Sequence, residues 1–205
     1  IENLHFNYPE GHELFGGLSL DLAYGEVTAL TGPSGCGKTT LARLLCGLEK
    51  PVKGTVTYDG ATASLELGQV VLQNADHQLY MSTVLNEVML ALGLGKHSPQ
   101  IKARAMEILE AFGLSALADR HPQSLSGGEK QRLVVAVGLA RPTKLLALDE
   151  PTSGLDGYNL NLMAAQIKKA TQAGPAVLVV THDLELVNMC AHRQLELGGL
   201  SALKS

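Results

Sequence analysis

The sequence predicts a layered α/β fold whose mainly parallel sheet is interrupted by a helical insert, and three observations predict it. Short β-branched or apolar runs alternate with segments of helical periodicity. The runs at 144–148 and 176–181 are apolar without alternation, as expected of strands covered on both faces. Between these runs and the first third of the chain, residues 83–118 carry a helical pattern and no strand pattern.

Each element follows from local signals. Val27–Thr31 reads as a buried strand. After a glycine-rich turn, Leu41, Leu44, Leu45 and Leu48 fall at i, i+3, i+4 and i+7, one apolar helix face. Residues 54–58 and 69–72 read as two further strands. In the helical stretch, Ser98-Pro99 supplies a cap and a first-turn proline, Ile101, Ala105, Ile108, Leu109 and Phe112 form the buried stripe, and Gly113 ends it. The apolar run 133–139 is a helix introduced by Ser126 and Glu129 at capping-box spacing. A last helix joins the two continuous strands and ends near Gly174-Pro175. There is no internal repeat and no low-complexity segment.

Composition narrows the function classes. The 205 residues are 45% hydrophobic, 18% charged and 4% aromatic, without tryptophan, a size that suits one large domain or one with an inserted lobe. Lys and Arg number 16 against 20 Asp and Glu, a formal net charge of −4 without long single-sign runs. That balance argues against broad electrostatic binding to nucleic acid or anionic lipid. No apolar stretch approaches the ~18 residues that would cross a bilayer; the longest runs are 133–140 and 176–180. The cysteines, Cys36, Cys46 and Cys190, are odd in number and lack paired metal-ligand spacing, which fits a reducing cytosolic compartment. The chain opens at Ile1, without a methionine and already within a strand pattern, as expected of an excised domain.

Three motifs carry chemistry. Gly32-Pro33-Ser34-Gly35-Cys36-Gly37-Lys38-Thr39 matches G-x-x-x-x-G-K-[ST] between a strand and a helix. Glycines let the backbone curl so that its N–H groups face a phosphate, and the helix N-terminus adds partial positive charge. Lys38 can reach β/γ oxygens, and the Thr39 hydroxyl can ligate Mg²⁺. Cys36 fills a variable position of this loop. The apolar strand 144–148 ends in Asp149 and Glu150, at the sheet end that lines the ligand crevice of an α/β fold. Asp149 can hold Mg²⁺ and Glu150 can orient or deprotonate a water. Leu125-Ser126-Gly127-Gly128-Glu129-Lys130-Gln131-Arg132 is at minimum a capped helix start, but the same geometry offers a second anion site. One nucleotide does not need two such loops in one chain, so the second is read as serving a nucleotide held by another copy.

Taken together, these motifs resemble the nucleotide-binding subunit of an ABC (ATP-binding cassette) transporter, in the family order and over nearly the whole length. Residues 125–129 match the family's signature motif. The resemblance implies ATP hydrolysis with ATP and Mg²⁺ bound. It also implies a P-loop NTPase core, 1–75 and 136–205, with an N-terminal antiparallel β part, and a helical subdomain at about 76–135, in a single domain 1–205. Nucleotide contacts are expected from Gly32, Pro33, Ser34, Gly35, Cys36, Gly37, Lys38, Thr39 and Thr40, with Tyr8 resembling the aromatic that stacks on adenine. Ser126, Gly127 and Gly128 would close the site of a second cassette. In Ser153-Gly154-Leu155-Asp156, similar to the D-loop, Asp156 would meet that cassette. Gln73, after a strand, resembles the glutamine that senses Mg²⁺ and the attacking water, and His182, after strand 177–181, resembles the switch histidine at the γ-phosphate. The catalytic set is then Glu150, His182, Lys38 and Gln73, and the metal set Thr39, Gln73 and Asp149. With Tyr8 as adenine platform, what precedes Ile1 is expected to be a few strand residues or a fused neighbour. The other six histidines are assigned no role.

The helical insert is short, without heptads or a basic surface, which favours a transporter motor over DNA-associated members. Gln73-Asn74-Ala75-Asp76-His77-Gln78-Leu79-Tyr80, followed by Thr83-Val84 and Glu87-Val88, is similar to ATPases of energy-coupling factor importers, although Ala75 and His77 depart from the usual pattern. The resemblance implies integral membrane subunits as partners, a peripheral location on the cytoplasmic membrane face, and no nucleic acid. Two alternatives stay open: an ABC regulator that clamps a nucleic-acid or ribosomal partner, and a P-loop kinase acting on a small molecule.

Overall fold

A computed structural model describes residues 1–198 except Glu10, His12, 94–97 and Ala173. Residues 94–97, in the expected helical stretch, and residues 199–205 of the expected single domain lie outside the described residues. The strands are β1 (Glu2–Asn7), β2 (Glu13–Leu18), β3 (Val27–Thr31), β4 (Lys53–Thr55), β5 (Thr57–Tyr58), β6 (Ala61–Thr62), β7 (Gly68–Val71), β8 (Leu145–Asp149), β9 (Ala176–Val180) and β10 (Arg193–Glu196). The α-helices are α1 (Lys38–Leu45), α2 (Val84–Leu92), α3 (Pro99–Ala111), α4 (Gly127–Ala140), α5 (Gly157–Thr171) and α6 (Leu184–Cys190).

The central sheet is parallel, in the order β10-β3-β9-β8-β7. Its inner strands divide their side chains between two cores. Leu145, Ala147, Leu178 and Val180 join the cluster under α1, with Leu41, Leu44 and Leu45. Leu146, Leu148, Val177 and Val179 join the cluster under α4 and α5, with Leu133, Val134, Met163 and Ile167. Both faces being dry, every position can be apolar, which is why the runs do not alternate. At roughly 25 cal/mol per Å² of apolar surface removed from water, this two-sided burial is the main stabilising term.

A second, antiparallel sheet in the order β2-β1-β4 forms the N-terminal part. The single strand read over 54–58 is divided here: Gly54, at φ 83, lets β4 pass β1 so closely that a Cβ would lie 2.2 Å from Asn3 O. The chain then turns into the β5–β6 hairpin through Asp59 and Gly60, at φ 49 and 86, both left-handed as a tight hairpin turn requires.

In the helical insert, Thr83 caps α2 by accepting from Asn86 N, and Ser98 caps α3 by accepting from Ile101 N with Pro99 at the first turn. Gly113 ends α3 in the left-handed region at φ 66. Val84, Val88, Ala105, Leu109 and Phe112 merge with the core under α4. The α4 helix runs unbroken across residue 135, so one rigid element belongs to both the insert and the sheet layer. Its contact with β7 is tight: a Cβ on Gly138 would lie 2.7 Å from Val71 Cγ2. The α6 helix and β10 carry no strong sequence signal; α6 has 7 residues and β10 is a mostly exposed edge strand.

Candidate nucleotide site

The carboxyl ends of β3, β8 and β9 converge on one crevice, and the predicted phosphate loop closes it. Gly32 adopts φ 143, where a Cβ would lie 2.3 Å from Leu197 O. Gly37, at φ 101, would drive a Cβ to 2.9 Å from Phe15 Cζ on β2. These two positions require glycine. Pro33, Ser34 and Gly35 are exposed at the crest of the loop, and Cys36 is half-buried beside Gly32.

Lys38 starts α1 and folds back over the loop, its Nζ donating to Gly32 O at 2.9 Å and Pro33 O at 2.8 Å. Thr39 donates through Oγ1 to Asp149 Oδ2 at 2.6 Å, joining loop and β8 directly. Asp149 is buried, and burial pushes its carboxyl above the usual carboxylate range, opposed by the Thr39 hydrogen bond and the nearby Lys38 charge. Thr39 and Asp149 thus offer hard oxygen donors in contact. Among the described residues no group of three or more His, Cys, Asp or Glu could hold a metal ion alone. A divalent cation at this pair would therefore need phosphate or water oxygens, the habit of Mg²⁺.

Tyr8 follows β1, packs edge-on to Phe6 at 5.0 Å, and exchanges a hydrogen bond with Thr40 Oγ1 at 3.1 Å. With Leu14, Gly35, Gly37, Lys38, Thr39 and Thr40 it lines a cavity of about 330 Å³, a volume within the usual range of small-molecule sites. A larger cavity, about 560 Å³, lies between the ends of α3, α4 and α5 and contains none of the phosphate-loop residues.

Glu150 follows β8 in the left-handed region, at φ 50. Its Oε1 lies 2.8 Å from His182 Nδ1, and its Oε2 accepts from Thr181 Oγ1 at 3.1 Å. The Glu150 hydrogen bond and negative charge raise the His182 pKa above the ordinary histidine value. Gln73 is exposed in the turn after β7, and among the described residues no hydrogen bond joins it to Asp149 or Glu150.

The second glycine motif is built as a helix start. Ser126 N donates to Glu129 Oε2 at 2.8 Å, while Glu129 N donates to Ser126 Oγ at 3.4 Å, the reciprocal capping box. These Ser126 hydrogen bonds hold the Glu129 carboxyl below its usual range. Gly127 has open space at its Cβ position, and that of Gly128 lies 3.5 Å from Leu155 Cδ2. Asp156 caps α5 by accepting from Asn159 N at 2.9 Å. Among the described residues no hydrogen bond links Ser126, Gly127, Gly128 or Asp156 to the phosphate loop.

The structure therefore brings Tyr8, residues 32–40 and Asp149 together, sets Glu150 and His182 against each other, and keeps residues 126–128 apart. Sequence reasoning assigned no role to Leu14, Thr181 or Gln131, although Gln131 stands in the second glycine motif and Thr181 ends a strand beside His182.

A parallel sheet whose first central strand feeds a phosphate loop, with an acid pair ending a neighbouring strand, defines a P-loop nucleotide-binding protein. More narrowly, the chain belongs to the ABC transporter family: the model of that family, described as ABC transporter, matches residues 15–153. It is 36% identical over 196 residues to the energy-coupling factor transporter ATP-binding protein EcfA of Methanosphaera stadtmanae, covering 91% of this chain and 70% of that one. Among solved structures it is similar to the ATP-binding cassette MJ0796, a dimeric post-hydrolysis state bound to ADP and Pi, with TM-score 0.85, 28% identity, and 96% and 92% of the two chains covered. It is also similar to cbiO1 of Clostridium perfringens, part of the ABC transporter complex cbiONQ, with TM-score 0.82, 28% identity, and 96% and 82% covered. The fold is thus that of ABC ATPase cassettes. The chain spans 39% and 33% of the length of two other curated ABC transporter ATP-binding proteins that it matches.

Proposed function

We propose that this chain is the ATP-binding and ATP-hydrolysing motor of an ABC importer, coupling cassette dimerisation to substrate uptake through separate membrane subunits. The observation that carries the reading is the junction of Thr39 with Asp149 beside Lys38, one residue before the Glu150–His182 pair. Lys38 and the loop amides bind and orient the phosphates, leaving Gly32 O and Pro33 O for oxygens of higher negative charge. Thr39, Asp149 and Gln73 would hold Mg²⁺, which would neutralise phosphate charge when bound. Glu150 takes the proton of the attacking water, and His182 holds the γ-phosphate side of the crevice. Tyr8 supplies the face for the base. Catalysis of this kind is mainly positioning and electrostatic stabilisation.

Ser126, Gly127 and Gly128 are read as an anion site serving a second cassette, and Asp156 as the residue that meets that cassette. The EcfA and cbiO1 relationships support an importer with membrane partners, and no helix of the described residues is long and apolar enough to cross a membrane. The location proposed is peripheral, on the cytoplasmic membrane face. Purification with native membranes tests it: a co-purifying membrane protein that stimulates the ATPase is the expected result. Salt-sensitive RNA or DNA binding, without a membrane partner, would overturn the importer reading.

A further inference from the structure

The backbone conformation of Glu150 is unfavourable for a residue with a Cβ and persists only where neighbours enforce it. Its polar surroundings do so from several sides. The Glu150 N–H donates to Val180 O at 2.8 Å, and its carbonyl accepts from Gln131 Nε2 at 3.3 Å. Its carboxylate meets His182 through Oε1 and Thr181 through Oε2. These two side-chain contacts differ in kind. The His182 side chain is 86% exposed, whereas Thr181 is 0% and Gln131 4% exposed. Buried hydrogen-bonding side chains fix geometry better than exposed ones, because losing their partner leaves an unsatisfied polar group out of water.

The Thr181 proton has a defined direction. Asp183 N donates to Thr181 Oγ1 at 3.0 Å, so the hydroxyl accepts there and gives its single hydrogen to Glu150. Oε2 thus accepts from Thr181 while Oε1 meets His182, so the carboxylate is held at both oxygens and each keeps a lone pair for a further contact. Gln131 belongs to the first turns of α4, the helix whose start is the Ser126–Gly128 face. The peptide following Glu150 is therefore tied to the helix that begins at Ser126.

We propose that Thr181 and Gln131 are positioning residues for Glu150: Thr181 fixes the carboxylate through Oε2, and Gln131 couples the Glu150 turn to the signature helix. The proposal rests on the reading of Glu150 as the base. In the step concerned, an O–H bond of water breaks, its proton passes to the Glu150 carboxylate, and its oxygen bonds to the γ-phosphorus. The bond from that phosphorus to the β,γ-bridging oxygen breaks, and the electron pair leaves on ADP. Thr181 and Gln131 touch no reacting atom; they act through Glu150. Phosphate engaging the α4 start would be felt at Glu150 through Gln131.

The test compares Thr181→Val, Thr181→Ser and Gln131→Leu with wild type and Glu150→Gln. Steady-state kcat and KM are read together with binding of a fluorescent ATP analogue and amide exchange over residues 150–153. The expected result is a kcat loss of roughly tenfold or more, comparable to losing one positioned catalytic contact, in Thr181→Val and Gln131→Leu. KM and analogue binding stay near wild type, exchange over 150–153 is faster, and Thr181→Ser restores most of kcat. Because the two residues lie on different elements, Gln131→Leu carries the test if Thr181→Val does not fold. Wild-type kcat in both variants, or a parallel loss of nucleotide binding, overturns the positioning role while Glu150→Gln is inactive. Wild-type turnover by Glu150→Gln overturns the parent reading instead.

Discussion

Asp149 illustrates how function and stability diverge at one residue. It ends β8 at 5% exposure, and burial holds its carboxyl above the usual carboxylate range. The folded state therefore binds its proton more tightly than the unfolded state does, and stability falls as pH rises from the unfolded pKa through the folded one. At neutral pH without divalent cation the ionised carboxylate is a cost, which Thr39 and Lys38 offset only in part. Asp149→Asn in chelator-treated buffer is expected to melt higher than wild type at pH 7, and the difference should vanish in acid. A lower melting temperature at pH 7 would show that ionised Asp149 stabilises the fold. The same residue was legible in the sequence, as were Lys38 and Thr39, since their spacing encodes a local turn. The roles of Thr181 and Gln131 were not legible: their partner Glu150 is 31 and 19 residues away, and the pairing of β9 with β8 and the packing of α4 on β8 bring them to it.

At the scale of elements, the parallel strands could be read because both faces are covered, and α3 because Ser98, Pro99 and Gly113 mark its ends. The β10 strand could not, since it lies at the sheet edge and Arg193, Gln194 and Glu196 are exposed. Tight packing was equally invisible; Gly138 lies inside an apolar helical run where alanine would raise helix propensity. Here tertiary contact reverses that preference, because the added methyl would press on Val71 and Leu146. Gly138→Ala is expected to lower stability by about 1–3 kcal/mol, the usual cost of overpacking. Denaturant unfolding measures this, and an unchanged midpoint would mean that β7 and α4 separate freely.

Across the whole molecule, the two glycine motifs stand in separate groups of contacts. Tyr8, the phosphate loop and Asp149 form one group, while the starts of α4 and α5 present Ser126, Gly127, Gly128 and Asp156 apart from it. In the proposed function, a chain organised this way supplies one half of each of two sites. The long α4 helix begins at Ser126 and reaches Glu150 through Gln131, the connection on which the proposed coupling rests. Membrane partners and cargo belong to the importer reading and are tested with other chains present. The hydrolytic role is tested on this chain directly, by measuring MgATP turnover and binding for wild type and Glu150→Gln side by side. The account predicts that the variant binds MgATP, accumulates in the nucleotide-bound dimer and loses at least two orders of magnitude in turnover, in line with removal of a general base. Hydrolysis by Glu150→Gln at the wild-type rate would contradict it.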